Sequence, residues 1–313
     1  METKYETEFF AMGTVINQKV YGKNSEFACI QVENEIKRIE NIMSFFLEDS
    51  DINKLNKNAG KSKIKLEEET IYVINKAKQL SKLSSGAFDI TTGPLVKLWG
   101  VFTNHAKVPN KKEIDEAQKL IRYEDIIIDV KSNLAMLRRK GQMVDLGAIA
   151  KGYAADKAIE IYKKNGIKSA FINIGGNVMV LGKKNHGDLW TIGIQNPDKV
   201  RGECIGALLL EDASVVTSGG YVRYFEKNNI KYHHIMDFRT GYPCSSGLKS
   251  VTAISNKSIE ADALSTAIFV LGYENGRKLV DNIDGLEAIF ITENDEIKIT
   301  EGLKDKFVLF ECV

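Results

Sequence analysis

The chain is short of the residues that most often announce a function. Among 313 residues there are four histidines, four prolines, four cysteines and two tryptophans. So little proline, with no Pro-rich or Ser/Gly-rich stretch, leaves no linker to divide the chain. Cys29, Cys204, Cys244 and Cys312 show no C-x-x-C spacing, so free thiols are expected rather than a disulfide frame or a zinc site. An excess of one charge is missing too, with 43 basic residues against 42 acidic. The basic cluster Arg138, Arg139 and Lys140 is too short for a nucleic-acid tract and reads as a solvated loop, so no nucleic-acid partner is expected. No apolar run is long enough to span a bilayer, and the N-terminal METKYETEFF is charged. Neither stable membrane insertion, a signal peptide nor a lipid-attachment cysteine is therefore expected. At face value the chain is cytoplasmic; an exported lipoprotein whose leader had been removed would read the same.

What is present is 43% hydrophobic residues, enough for a sizeable core in one continuous body over 1–313. Residues 9–21 read as a strand broken at Gly13. Residues 25–42 read as a helix carrying Phe27, Ile30, Ile36 and Ile39, and 67–84 as a second helix with an acidic start and a stop at Gly86. Strand-like segments at 125–137 and 168–182 flank a helix closed by Asn165-Gly166. After residue 187 strands dominate, followed by a helix over 260–272 and two short strands. The fold class is α+β (mixed α/β), with antiparallel pairing in the second half.

Four stretches could carry chemistry. GAFDITTGPLVKLWG, 86–100, offers turn amides and hydroxyls with Phe88 or Trp99 to stack on a ring; it reads equally as a turn capped by Asp89. VDLGAIAKGYAAD, 144–156, places Asp145 before a helix start whose free N–H groups suit a phosphate, with Lys151 as a point charge. Its alternative is close helix packing through Gly147 and Gly152. IEADALSTAIFVLG, 259–272, sets Asp262 and Thr266 four apart with Ser265 beside them. Such oxygens, completed by phosphate and water, are how Mg²⁺ is held; a cap and a threonine bonded to its own turn are the plainer reading. YHHIMDFRTGYP, 232–243, spends two of the four histidines at one place. As a strand it turns Tyr232, His234 and Met236 to one side and His233, Ile235 and Asp237 to the other. One histidine can then serve a site as a proton acceptor while its neighbour packs.

Taken together and in order, these stretches resemble the ApbE family of FAD:protein FMN transferases. The likeness runs through AMGT (11–14), MSFFLEDSDINKLN (43–56), GAFDITTGPLVKLWG, VDLGAIAKGYAAD, NIGGNV (173–178), VVTSGGY (215–221), HHIMDFRTGYP (233–243) and ADALSTA (261–267). The resemblance implies a T-fold-like body with a helical N-terminal part and a largely antiparallel sheet, and FAD held in the cleft between them. It implies transfer of FMN from FAD onto a threonine or serine hydroxyl of an acceptor protein, with Mg²⁺, releasing AMP. Hydrolysis of FAD to FMN and AMP, or non-catalytic FAD binding, are the alternatives. By position in the motifs, Met12, Phe46, Ala87, Phe88, Asp89, Asp145, Lys151 and Met236 would contact FAD. Ala148 through its carbonyl, Asp262, Ser265 and Thr266 would form the metal site, and His234 with Asp262 would carry the catalysis. Phe238 stands where the family has proline in its D-P-x-T-G turn, which is expected to loosen that turn slightly. No segment resembles the family's acceptor motif, an Asp and small residues before Ser/Thr-Gly-Ala-Thr, so the partner is a separate acceptor flavoprotein.

Overall fold

The computed structural model describes residues 3–310, so Cys312 lies outside the described residues. An eight-stranded sheet forms the middle layer. Its strands are Lys4–Ala11, Thr14–Tyr21, Ser169–Ile174, Asn177–Leu181, Ser214–Gly219, Leu248–Ser255, Glu287–Thr292 and Ile297–Ile299, side by side in chain order. Every neighbouring pair is antiparallel. Antiparallel pairing thus reaches beyond the second half into the first hairpin. That hairpin turns at Met12 (φ 52°) and Gly13 (φ 68°). Two successive positive φ angles match the twist of the flanking strands, which is why a glycine interrupts the apolar pattern there.

Helices α1 (Ser25–Met43), α2 (Asp51–Lys57), α3 (Glu68–Leu83), α4 (Gly93–Trp99), α5 (Lys111–Gln118), α6 (Ala150–Lys164) and α7 (Ser258–Asp281) complete the helical part. α1, α6 and α7 cover one face of the sheet, where Val32, Ala154 and Leu264 share a core with Ile16, Ile172 and Val251. On the other face a three-stranded sheet of Trp190–Gln195, Cys204–Leu210 and Phe307–Leu309 packs Trp190, Ile192 and Leu208 against Val180, Val215 and Ile254. The central strand Leu248–Ser255, covered on both sides, is therefore buried almost throughout.

Two of the expected elements differ in the structure, and a third strand follows the two expected after the last helix. α1 buries Ala28, Cys29, Val32, Ile36, Ile39 and Met43, and leaves Phe27 and Ile30 exposed. Six residues separate Ile30 from Ile36, which at helical pitch puts them on different faces. α7 does not stop at Gly272: the backbone breaks there (φ 74°, ψ −178°) and the helix resumes to Asp281. The strand Phe307–Leu309 closes the smaller sheet, and no alternation in the sequence marks it. Cys29, Cys204 and Cys244 are free thiols. Among the described residues no helix is long and apolar enough to cross a membrane.

The crossing of α6 and α7 is the contact that positions the site. A Cβ on Gly152 would stand 2.3 Å from the Ser258 carbonyl oxygen and 2.8 Å from Asp262 Cβ. Close packing therefore does explain Gly152, whereas a Cβ on Gly147 would meet within 4 Å the Asp145 carboxylate alone. Helix propensity by itself makes Gly152→Ala stabilising by about 1 kcal/mol. The packing reverses the sign: we expect a loss of about 1–3 kcal/mol in urea denaturation. A midpoint unchanged or raised would refute the close approach.

Candidate functional site

Asp262 sits in the second turn of α7 and is 4% exposed. Its Oδ2 accepts from the Gly152 N–H at 2.9 Å, and its Oδ1 lies 3.7 Å from Lys151 Nζ. Gly152 lies in the first turn of α6, where the backbone N–H has no acceptor within the helix. Asp262 supplies the missing acceptor, and Ala148, in the turn before the helix, is partly exposed. One turn along α7, Thr266 is the one residue between Ala261 and Val270 that is not buried. Asp262 Oδ1, the Thr266 hydroxyl and the Ala148 carbonyl are hard oxygens on neighbouring elements, a donor set suited to Mg²⁺ with waters and substrate oxygens. Ser265 does not share that position. It is fully buried, donates to the Asp262 carbonyl at 2.9 Å and meets Ser218 Oγ at 2.8 Å, so its oxygen is taken up within the protein. Among the described residues no group of three or more His, Cys, Asp or Glu gathers as a metal cage.

The two histidines are separated by a break in the strand, and by more than the alternation expected. Ile230–His233 pairs with Tyr224–Lys227, His234 and Ile235 leave the ladder, and Met236–Asp237 pairs anew with Tyr242–Pro243. His233 is locked: its Nδ1 accepts from the Ile235 N–H at 3.2 Å and its Nε2 contacts the Cys244 carbonyl at 2.9 Å. His234 contacts the Arg223 carbonyl through Nδ1 at 3.2 Å. A carbonyl only accepts, so Nδ1 carries the proton and Nε2 keeps its lone pair. Burial lowers the His234 pKa to about 4, and the charges of Arg223 and Lys151 push the same way. The ring is thus a neutral base at physiological pH.

The other expected residues fall around this locus in different ways. Met12 is at the hairpin turn, whose Gly13 carbonyl accepts from Arg223 Nη2 at 3.0 Å. Phe46 is 63% exposed, and an edge-on series leads from it to Phe102 at 6.4 Å and on to His234 at 5.7 Å. Asp145 is joined to the 86–100 stretch by its N–H, which donates to the Ile90 carbonyl at 2.8 Å. Desolvation raises its pKa, while the Gly147 N–H and Lys151 oppose that rise. Lys151 donates to the Gly147 carbonyl at 2.8 Å.

Phe88 and Trp99 are buried, at 3% and 0% exposure, so neither presents a ring to a ligand. Trp99 Nε1 donates to the Gly241 carbonyl at 2.9 Å, and Phe88 belongs to the main core. Asp89 is a turn former: its oxygens accept from the Thr91 N–H and hydroxyl and from the Tyr123 N–H. Burial raises its pKa to about 6. The buried Ala87 offers backbone more readily than side chain. Met236 packs with Leu95, Trp99 and Ile114 beneath the site. With Phe238 in place of proline, the turn after Met236 is closed by hydrogen bonds. The Asp237 carbonyl accepts from the Thr240 and Gly241 amides, Arg239 pairs with the Asp237 carboxylate, and Gln118 holds the Phe238 carbonyl.

Three residues that no motif assigns a part enter the site. Ser218, within VVTSGGY, lies 3.3 Å from Thr266 Oγ1 as well as touching Ser265. Arg223 and Phe102 frame His234. No local pattern marks these two, because their roles arise from contacts between distant segments.

The chain is similar to several known proteins over nearly its whole length. Among curated proteins, an FAD:protein FMN transferase of Klebsiella pneumoniae is 35% identical over 303 residues, covering 97% of this chain and 94% of its own. One from Treponema pallidum is 31% identical, covering 97% and 88%. Among solved structures, the ApbE protein of Thermotoga maritima superposes with a TM-score of 0.90 at 35% identity, covering 97% of this chain and 99% of its own. The flavin transferase ApbE of Vibrio cholerae gives 0.87 at 26% identity, covering 98% and 100%. With the ApbE family profile matching residues 12–290, the chain belongs to the ApbE family.

Proposed function

We propose that this protein is an FAD:protein FMN transferase that moves FMN from FAD onto a serine or threonine hydroxyl of an acceptor flavoprotein and releases AMP. The observation that carries the reading is the neutral His234 ring, held through Nδ1 with Nε2 free, within reach of the charge of Lys151, which itself lies 3.7 Å from Asp262. The names of the relatives support the same activity. A hydroxyl is a poor nucleophile until a base takes its proton, and His234 Nε2 is the group suited to take it. The acceptor oxygen then forms a bond to the phosphorus on the flavin side of the pyrophosphate. The bond from that phosphorus to the bridging oxygen breaks, and AMP leaves with the electron pair.

Asp262, Thr266 and the Ala148 carbonyl would hold Mg²⁺, which when bound neutralises pyrophosphate charge and polarises phosphorus. Lys151, beside Asp262, adds a cation for the same dianion, and Met12 with the exposed Phe46 offers surfaces for the flavin ring system. Mass spectrometry of an acceptor domain incubated with the protein, FAD and Mg²⁺ tests the reading. The acceptor should gain one FMN moiety as AMP appears. Free FMN and AMP with an unmodified acceptor would make the protein a pyrophosphatase instead, and FAD left intact would count against catalysis.

Asp262→Asn keeps an oxygen for the Gly152 N–H but removes the charge. It should retain its melting temperature while losing about 4 kcal/mol of transition-state stabilisation, roughly 10³-fold in turnover. Full Mg²⁺-dependent activity in that variant would remove Asp262 from the metal site. His234→Ala should lose about 10²–10⁴-fold in kcat with FAD binding retained by fluorescence quenching. Equal loss of binding would assign His234 to the fold. The lowered pKa also sets the acid limb. Above the folded value of about 4 the ring is neutral, so His234 leaves kcat/KM level from pH 5 to 8 and imposes a fall only as pH drops through about 4. A fall centred between pH 6 and 7 would contradict the burial of the ring.

A further inference from the structure

Arg223 joins three parts of the site and has so far been given no role in it. Its guanidinium donates through Nη2 to the Gly13 carbonyl at 3.0 Å, and lies 5.4 Å over the Phe102 ring. Its own carbonyl accepts twice from one residue, from the His234 N–H at 3.1 Å and from the ring at Nδ1, 3.2 Å away. The Phe102 ring that the guanidinium covers stands edge-on to the His234 ring at 5.7 Å. The segment 221–223 is turn and bend, and the ladder that begins at Tyr224 opposite His233 reaches Arg223 only through the His234 N–H. The carbonyl is held on one side by the His234 N–H at the end of that ladder, and the side-chain anchor to the first hairpin supplies the second hold that sets where it points. Arginine suits such an anchor, because a planar cation can cover a ring with its face while its N–H groups reach a carbonyl at the rim.

We propose that Arg223 is a positioning residue, which by anchoring to Gly13 and Phe102 holds its carbonyl on His234 and so fixes the base in the Nδ1–H tautomer with Nε2 open. This inference rests on His234 as the base of the transfer reaction. It adds that the hairpin turn bearing Met12 and the base are tied through one side chain, so the base is set relative to the same turn that the flavin would touch.

The chain's four histidines make the idea measurable. His105 and His186 are exposed, while His233 and His234 are held in opposite tautomers by their partners. Nitrogen-15 correlation spectra of the imidazoles at neutral pH, assigned with His234→Gln, should show His234 as Nδ1–H and His233 as Nε2–H in the free protein. Finding His234 as Nε2–H in the unaltered protein overturns the proposal outright, whatever the variants do. In Arg223→Ala the His234 signal should move to a mixture of tautomers. With FAD, Mg²⁺ and acceptor, kcat should fall about 10- to 100-fold, as expected for a misplaced catalytic group, with KM for FAD changed far less. Arg223→Lys, which keeps a donor for the Gly13 carbonyl, should restore part of both; if Arg223→Ala does not fold, this variant should show intermediate tautomer and rate, and unaltered values there refute the anchor. A retained Nδ1–H signal and unchanged kcat in Arg223→Ala, or a change confined to KM, also refute it. The tautomer is read without flavin or acceptor, so a failure of FMN transfer in the unaltered protein would sink the proposed function and leave the Arg223 result standing.

Discussion

The hydrogen bond from the Gly152 amide to the Asp262 carboxylate is the constraint on which most of the site depends. It requires α6 and α7 to approach until no Cβ fits at residue 152. The approach brings Lys151 beside the carboxylate, satisfies a first-turn amide that has no acceptor in its own helix, and commits one carboxylate oxygen to that helix while the other is left toward Lys151. A buried carboxylate that accepts a backbone N–H is held in one orientation. The metal-binding capacity proposed for this place therefore comes from a helix crossing rather than from a dense cluster of acidic side chains.

Charge is distributed to match. Lys151 and Arg223 bring positive charge to the locus, while Asp262 is the one expected metal-site residue that brings negative charge. A pyrophosphate-bearing ligand would meet cations and backbone donors there, and His234, the proposed base, is kept neutral by its burial and by those same cations. The arrangement separates two roles that would conflict in one group: attracting an anion and accepting a proton. The adjacent His233 takes neither. Its two nitrogens are committed to Ile235 and Cys244, which pins the chain behind the base.

Much of this is legible in the sequence where the signal is local. The hairpin glycine, the helix from 150, the Asp262 to Thr266 spacing and the paired histidines each reflect nearest-neighbour geometry. The expectations that fail need information from across the fold. Phe88 and Trp99 look like stacking rings in GAFDITTGPLVKLWG, but whether an aromatic faces a cleft or a core is decided by what packs on it, here Gly241 and the main core. Ser265 reads as a ligand until Ser218, from another strand, takes its hydroxyl. In α1, Phe27 and Ile30 have the size of core residues, yet their phase along the helix leaves them outside. Arg223 leaves no local trace at all, since what defines it lies in three separate segments.

The bond from Arg223 to Gly13 closes a loop of 210 residues, and the one from Gly152 to Asp262 a loop of 110. The main sheet adds its strands in chain order, so a growing polypeptide can lay them down as it leaves the ribosome. The site cannot follow that schedule. The two partners of the longer bond are synthesised 210 residues apart, and at about 5–20 residues per second the interval is tens of seconds. During that time the hairpin that will seat Met12 exists without the arginine or the base that complete it. Chains terminated before Arg223 and Asp262 would thus carry recognisable sheet but no assembled centre.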